Sequence, residues 1–178
     1  AIDGQNGVLT LASGWNNPNA IAVDDAGNIY VAAQNQIKKI PAGSQTSEVI
    51  WSSTLHALWP TSITVDGSGS IYFMIPQTGT WGKNEVMKID AATQVASSWI
   101  SGLDASSWSM KADDQGNLWI ADASHGGEVR KFDGNSNAVS TWATNLGFIT
   151  GIDLDKDGNV VVASNSSQGT GMGMVSMI

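Results

Sequence analysis

The 178 residues carry eight basic against sixteen acidic side chains, a formal net charge of −8, and the basic ones occur singly or in pairs such as Lys38-Lys39 and Arg130-Lys131. Sequence-independent binding to nucleic acid or to an anionic membrane needs a contiguous positive surface, so both partners are excluded as expectations. With 42% hydrophobic residues and no cysteine, the chain can bury a core of one domain but cannot staple it with disulfides, and no run approaches the roughly 18 apolar residues of a membrane-crossing helix.

In chain order, the first segment with strand character is Val8 to Gly14, which stands alone. Then a phrase begins that recurs four times, starting at Ile21, Ile63, Met110 and Ile152 and therefore at intervals of 42, 47 and 42 residues. Each copy runs through alternating apolar residues to an aspartate (Asp24, Asp66, Asp113, Asp155). A short polar stretch with Gly27, Gly69, Gly116 or Gly158 follows, and then four mostly apolar β-formers. That pattern predicts a tight hairpin: the aspartate accepts bonds from nearby backbone amides, and the glycine adopts the left-handed conformation that closes the loop. A third strand follows in every unit (Ile37–Ile40, Val86–Asp90, Val129–Phe132, Met174–Ile178). A fourth follows in the first three, carrying Trp51, Trp99 and Trp142 at one repeated place.

Four-stranded units at a period of 40 to 47 residues predict an all-β, four-bladed β-propeller of antiparallel blades in a single domain spanning 1–178. Its repeats cover 21–62, 63–109, 110–151 and 152–178. The last unit has no fourth strand of its own, so the leading segment 8–14 is expected to complete it and close the ring, with Leu11 in the place of the three tryptophans. Those tryptophans, with Tyr30, Tyr72 and Trp119, are expected between blades. Lys111 and Asp153, on equivalent places of neighbouring inner strands, are expected to form an ion pair near the axis, since either charge alone would be costly there.

The units resemble those of the NHL-repeat family of β-propellers, which look like Pro-x-x-Ile-Ala-Val-Asp-x-x-Gly-Asn-Ile-Tyr-Val-Ala followed by a basic third strand. Asn17 through Ile40 follows that pattern almost residue for residue, and Pro60-Thr-Ser-Ile63 repeats its opening. The third and fourth units lack the proline, and the third strand is basic only in the first three. The resemblance covers nearly the whole chain and implies the propeller fold. It leaves activity open, because the family includes sensor domains, protein and RNA binders, and a few propeller-like lyases. NHL propellers usually have six blades. Four blades leave a small closed ring, two copies completing a larger ring, or a piece of a longer protein as alternatives.

Function is expected where the loops between fourth and first strands, and between second and third strands, gather at one end. The inter-blade loops bring Trp15, Asn17, Trp59, Trp108 and Phe148. The others bring Gln34 and Asn35, then Trp81 and Asn84 in an insertion that breaks the period, then His125 and Asn165. Aromatic planes beside neutral amides and hydroxyls suit a glycan or an extended peptide, although the inter-blade aromatics also suit packing wedges. The expected function is therefore non-catalytic recognition, with no cofactor and no metal.

Three alternatives stand beside it. One is a metal-assisted propeller lyase or lactonase using His56 and His125 with Asp104 or Asp122. The second is a structural assembly module, as monomer or homodimer. The third concerns Asp153-Leu-Asp-Lys-Asp-Gly158, which opens like a calcium loop but has Ser164 where such a loop wants a bidentate glutamate, so a structural turn is expected. A start at alanine and a composition poor in lysine but rich in Ser, Thr, Asn and Gly suit a processed, secreted protein or an excised fragment.

Overall fold

The structure is a computed structural model and describes residues 9–53, 59–79, 82–124, 126–165 and 173–178. It is all β, with fifteen strands and no helix among the described residues. Blade 1 contains β1 (Pro18–Val23), β2 (Ile29–Ala33), β3 (Gln36–Ile40) and β4 (Glu48–Ser52). Blade 2 contains β5 (Ser62–Val65), β6 (Ile71–Pro76), β7 (Lys83–Ile89) and β8 (Ala96–Asp104). Blade 3 contains β9 (Ser107–Ala112), β10 (Leu118–Asp122), β11 (Glu128–Phe132) and β12 (Val139–Thr144). Blade 4 contains β13 (Phe148–Leu154), β14 (Val160–Asn165) and β15 (Gly173–Met177). All ladders are antiparallel between consecutive strands, and the inner strands β1, β5, β9 and β13 lie toward a common axis, as in a four-bladed β-propeller.

The hairpin turns follow the expected chemistry and add to it. Gly27, Gly69, Gly116 and Gly158 have φ between 79° and 85°. Asp24 Oδ1 accepts the amide of Asn28, four residues on, at 2.8 Å, while its Oδ2 accepts from the Asn28 side chain and the Tyr30 hydroxyl. Asp66 receives the amides of Ser68 and Ser70 and the Tyr72 hydroxyl, and Asp113 receives the amide and side chain of Asn117. The asparagine after the glycine has a second duty. Asn28 Oδ1 accepts the amide of Ala42 at 3.0 Å and Asn117 Oδ1 that of Gly134 at 3.1 Å, tying the first hairpin to the loop between third and fourth strands. Burial together with the Asp24 bond pushes the Tyr30 hydroxyl up to about 12. In the fourth unit Asp155 receives the amides of Asp157 and Asn159 and the side chain of Asn159, so its oxygens serve the turn, as the structural reading of that segment expects.

A blade is only one sheet thick, so its apolar residues are buried only against the next blade. Three clusters result. One joins blades 1 and 2 through Tyr30, Ala32, Ile37, Ile63, Ile71, Phe73 and Ile89, with Trp51 against Phe73 at 4.7 Å. A second joins blades 2 and 3 around Tyr72, Met74, Met110, Leu118 and Ile120, with Trp99 on Tyr72 at 5.0 Å. The third joins blades 3 and 4 through Trp119, Val129, Ile149, Val160 and Val162, and Trp142 leans edge-on against Trp119 at 4.8 Å while staying half exposed.

Among the described residues no fourth cluster joins blade 4 to blade 1, and β13 does not pack on β1 as β5 does on β1 or β9 on β5. Here the expectation for the leading segment is corrected. Residues 9–14 form no ladder, β13, β14 and β15 make a three-stranded sheet, and Leu9 and Leu11 lie instead beside Ile29 and Ile40 on the outer side of blade 1. The physical reason is that the segment's apolar side chains are met by Ile29 and Ile40 on the flank of blade 1, without a ladder to β15. The Lys111 and Asp153 pair forms as expected, at 2.8 Å, but both side chains are substantially exposed, so it contributes no more than about 1 kcal/mol.

The turn geometry predicts that Gly116→Val destabilises the fold by about 1 kcal/mol or more, because a β-branched residue is strained at positive φ. Phe73→Ala, which empties a fully buried site beneath Trp51, is expected to cost about 3 to 5 kcal/mol. Urea unfolding of both variants checks the two figures; wild-type stability in Gly116→Val contradicts the backbone assignment.

Candidate functional site at the loop end

Because the inner strands run from the loop end toward the hairpin turns, the connections before β1, β5, β9 and β13 and those after β2, β6, β10 and β14 share one end of the molecule. Backbone bonds hold them in pairs: Ser53 N to Asn35 O, Ala105 N to Gly82 O, Ala123 N to Ser106 O, and Gly147 N to Gly126 O. Three sequence-predicted aromatics are presented there from successive blades. Trp59, Trp108 and Phe148 are 49%, 54% and 52% exposed.

Trp108 owes its position to a bulge. In the ladder of β9 with β10, Ser109 pairs with Ala121 and Ser107 with Asp122, leaving Trp108 as the extra residue. Asn19 in β1 and Thr150 in β13 are extra residues at the same offset within their repeats. Bulges re-aim side chains, and here they turn that position toward the axis. Trp108 and Thr150, with Thr61 at the same offset in blade 2, line an axial cavity of about 340 Å3 together with Ser62, Ser109 and Lys111. The Thr61 hydroxyl is buried and has no hydrogen-bond partner among the described residues. Asn19, Thr61 and Thr150 were not singled out by sequence; the only available signal was their shared offset from the repeat starts, since nothing in the residue types announces a bulge.

The remaining predicted residues divide. Asn17 and Gln34 are exposed in blade 1 and hold left-handed backbone at φ 43° and 52°, with Gln34 N donating to Asn17 O and the Gln34 side chain accepting from Asn16. Asn165 is exposed, opposite Phe148 in the ladder. Asn35 donates to Ser53 O at 2.8 Å, and buried Asn84 to Ser107 O at 3.0 Å, so both amides fasten loops. Trp15 is half buried, with the Lys38 ammonium 5.4 Å from its ring, and it does not line the axial cavity. Trp81, His56 and His125 lie outside the described residues, as does the pairing of those histidines with Asp104 or Asp122.

The most polar feature of this end is a clamp around Asp122. Its carboxylate is fully buried and accepts from the hydroxyls of Ser106 and Ser107, from the amide and hydroxyl of Ser124, and from Arg130 Nη2 at 2.6 Å. Burial alone would raise its pKa, but the bonds from Ser106, Ser124 and Arg130 outweigh it and bring the group down to about 2. Asp104 is paired nearby with Lys83 at 2.5 Å. With both oxygens bonded, Asp122 holds Ser106 and Ser107, immediately before Trp108, against the end of β10.

No protein-family model matches the chain. No curated protein matches it either. Solved structures do. A TolB structure from Acinetobacter baumannii superposes over 96% of this chain and 46% of its own, at 18% identity and a TM-score of 0.74. The nidogen/laminin complex matches over 89% and 64%, at 18% and 0.65. The virginiamycin B lyase of Staphylococcus aureus matches over 92% and 56%, at 12% and 0.61. The fold is a β-propeller fold. At these identities the likeness concerns the fold alone, and the chain spans roughly half to under two thirds of the length of the structures it matches.

The Asp122 pKa carries a pH prediction. Because it is depressed from 3.8, its contribution, roughly 2 kcal/mol, is present above pH 4 and lost as pH falls toward 2. Denaturant titrations from pH 7 to 2 are expected to show Asp122→Asn less stable than wild type at neutral pH, with the gap narrowing below pH 4. A gap that does not narrow removes the carboxylate from that role.

Proposed function

We propose that this propeller is a non-catalytic recognition module that receives an extended segment of another protein across its loop end. The observation that carries the reading is the set of half-exposed aromatics Trp59, Trp108 and Phe148 at the loop end of three successive blades, with Trp108 lining a cavity that also holds the hydroxyls of Thr61, Ser62, Ser109 and Thr150 beside Lys111 and Asp153. Large apolar rings left in water on a rigid frame mark interaction sites, and a polypeptide offers both the apolar side chains to cover them and the amides to pair with Thr61, Ser109 and Thr150. The similar nidogen structure, itself solved in a complex with laminin, supports a protein partner. A glycan is the second reading, favoured by the placement of the Trp108 ring beside the hydroxyls of the cavity, where a sugar face could stack while its hydroxyls pair. Either ligand fits a secreted setting.

Peptide and glycan arrays probed with the wild-type protein, followed by titration of the best ligand, test the proposal. Trp108→Ala is expected to weaken binding tenfold or more, about 1.4 kcal/mol, with folding unchanged. A ligand whose affinity is indifferent to both Trp108→Ala and Trp59→Ala binds elsewhere and overturns the reading.

A further inference from the structure

The insertion that lengthens the second repeat has its structural consequence in the third. It brings Gln77 and the start of β7, and the ladder of β7 with β8 extends to Asn84 opposite Leu103 and Lys83 opposite Asp104. β8 is accordingly nine residues long, where β4 has five and β12 six. From this longer hairpin four groups reach the chain that leads into β9. Gln77 Oε1 accepts the amide of Gly102 at 2.9 Å, and Gly82 O accepts that of Ala105 at 3.1 Å. Lys83 Nζ pairs with Asp104, and Asn84 Nδ2 donates to Ser107 O at 3.0 Å.

Blade 3 grips the same connection from its other side. Asp122 accepts from the hydroxyls of Ser106 and Ser107, and it is held in turn by Arg130, which is paired with Glu128 at 2.9 Å. Trp108 follows at once. Ser107 before it is fully buried, and Met110 two residues after it gives its amide to Ser62 Oγ. The exposed ring thus belongs to the bulge residue of a segment fixed on both sides.

Folding alone does not call for a charge at this place. Asp122 is the fifth residue of its strand, and in β2 and β6 the fifth residues, Ala33 and Ile75, fill the corresponding place with buried apolar side chains. A buried ion pair is often no more stabilising than apolar residues of similar volume, while its hydrogen bonds carry direction. The connection into β13, ahead of Phe148, is tied by the backbone bonds of Leu146 and Gly147 to Gly127 and Gly126.

We propose that Asn84 of blade 2 and Asp122 of blade 3 are positioning residues for Trp108, and that they make this ring the preformed anchor of the loop-end site. What the anchor binds rests on the recognition reading above; the positioning does not. Both residues act through residues 104–107 and not by touching the ligand. Backbone already held in place has less freedom to lose when a partner arrives.

Fluorine NMR of protein containing fluorotryptophan reports on each ring separately, and Trp108→Phe assigns the Trp108 line. In Asp122→Asn and in Asn84→Ala that line is expected to broaden or divide, while the line of Trp51 in blade 1 stays unchanged. Asn84→Ala leaves no charge unpaired, so it decides the matter should Asp122→Asn fail to fold: a Trp108 line as in the wild type overturns the proposal. Affinity for the tightest-binding peptide of the array supplies the second readout. Each variant is expected to weaken it about fivefold or more, and to have no further effect when Trp108 is already alanine. A further loss in the Trp108→Ala background shows that the two residues act other than through the ring, and also overturns the proposal. An array without a binder removes the recognition reading and leaves the fluorine line to decide the positioning.

Discussion

A single β-sheet has two faces and, standing alone, can bury neither. Everything in this molecule depends on how that constraint is met, by setting sheets face to face in series so that each blade is the core of its neighbour. The aromatic rows do the filling: Trp51 against Phe73, Trp99 against Tyr72, Trp142 against Trp119. Stability in such an array is shared between adjacent units and not gathered at one centre. The weakest places are consequently the outermost faces, where Ile21 and Val175 meet water.

The same arrangement decides what the loop end can be. Ser62 and Thr64 clasp β5 to β9, and a single bulge in β9 or in β13 is enough to turn a side chain, Trp108 or Thr150, into the axial space. Trp108 is the residue on which this acts most visibly. Its bulge sits between Ser107 and Ser109, and the buried Asp122 carboxylate grips Ser106 and Ser107 immediately before it. Trp108 is therefore carried by backbone that hydrogen bonds fix immediately before it.

Much of this was legible in the residues. The spacing of Asp24, Asp66, Asp113 and Asp155 marks the hairpins, because an acceptor five residues before a strand and a left-handed glycine between them close that loop. The ion pair of Lys111 with Asp153 follows from register alone. What was not legible has physical reasons. The second bond of Asn28 and Asn117 reaches a loop fourteen or more residues away, and local pattern carries no such distance. Bulges at Asn19, Trp108 and Thr150 change no residue type. The leading segment reads as a fourth strand, but an apolar pattern names the kind of neighbour a strand needs without naming which blade provides it.

The turn aspartates have an effect beyond their loops. Asp24, Asp66, Asp113 and Asp155 all lie at the hairpin end, with Asp25, Asp114 and Asp157 beside them and Asp90 and Asp133 opening the loops after the third strands. Their hydrogen bonds lower the pKa of Asp24, Asp90, Asp133 and Asp155 below the ordinary aspartate value, so these four favour the charged form that the turns need. The lysines of the third strands answer part of that charge, Lys88 acting on Asp90 and Lys131 on Asp133.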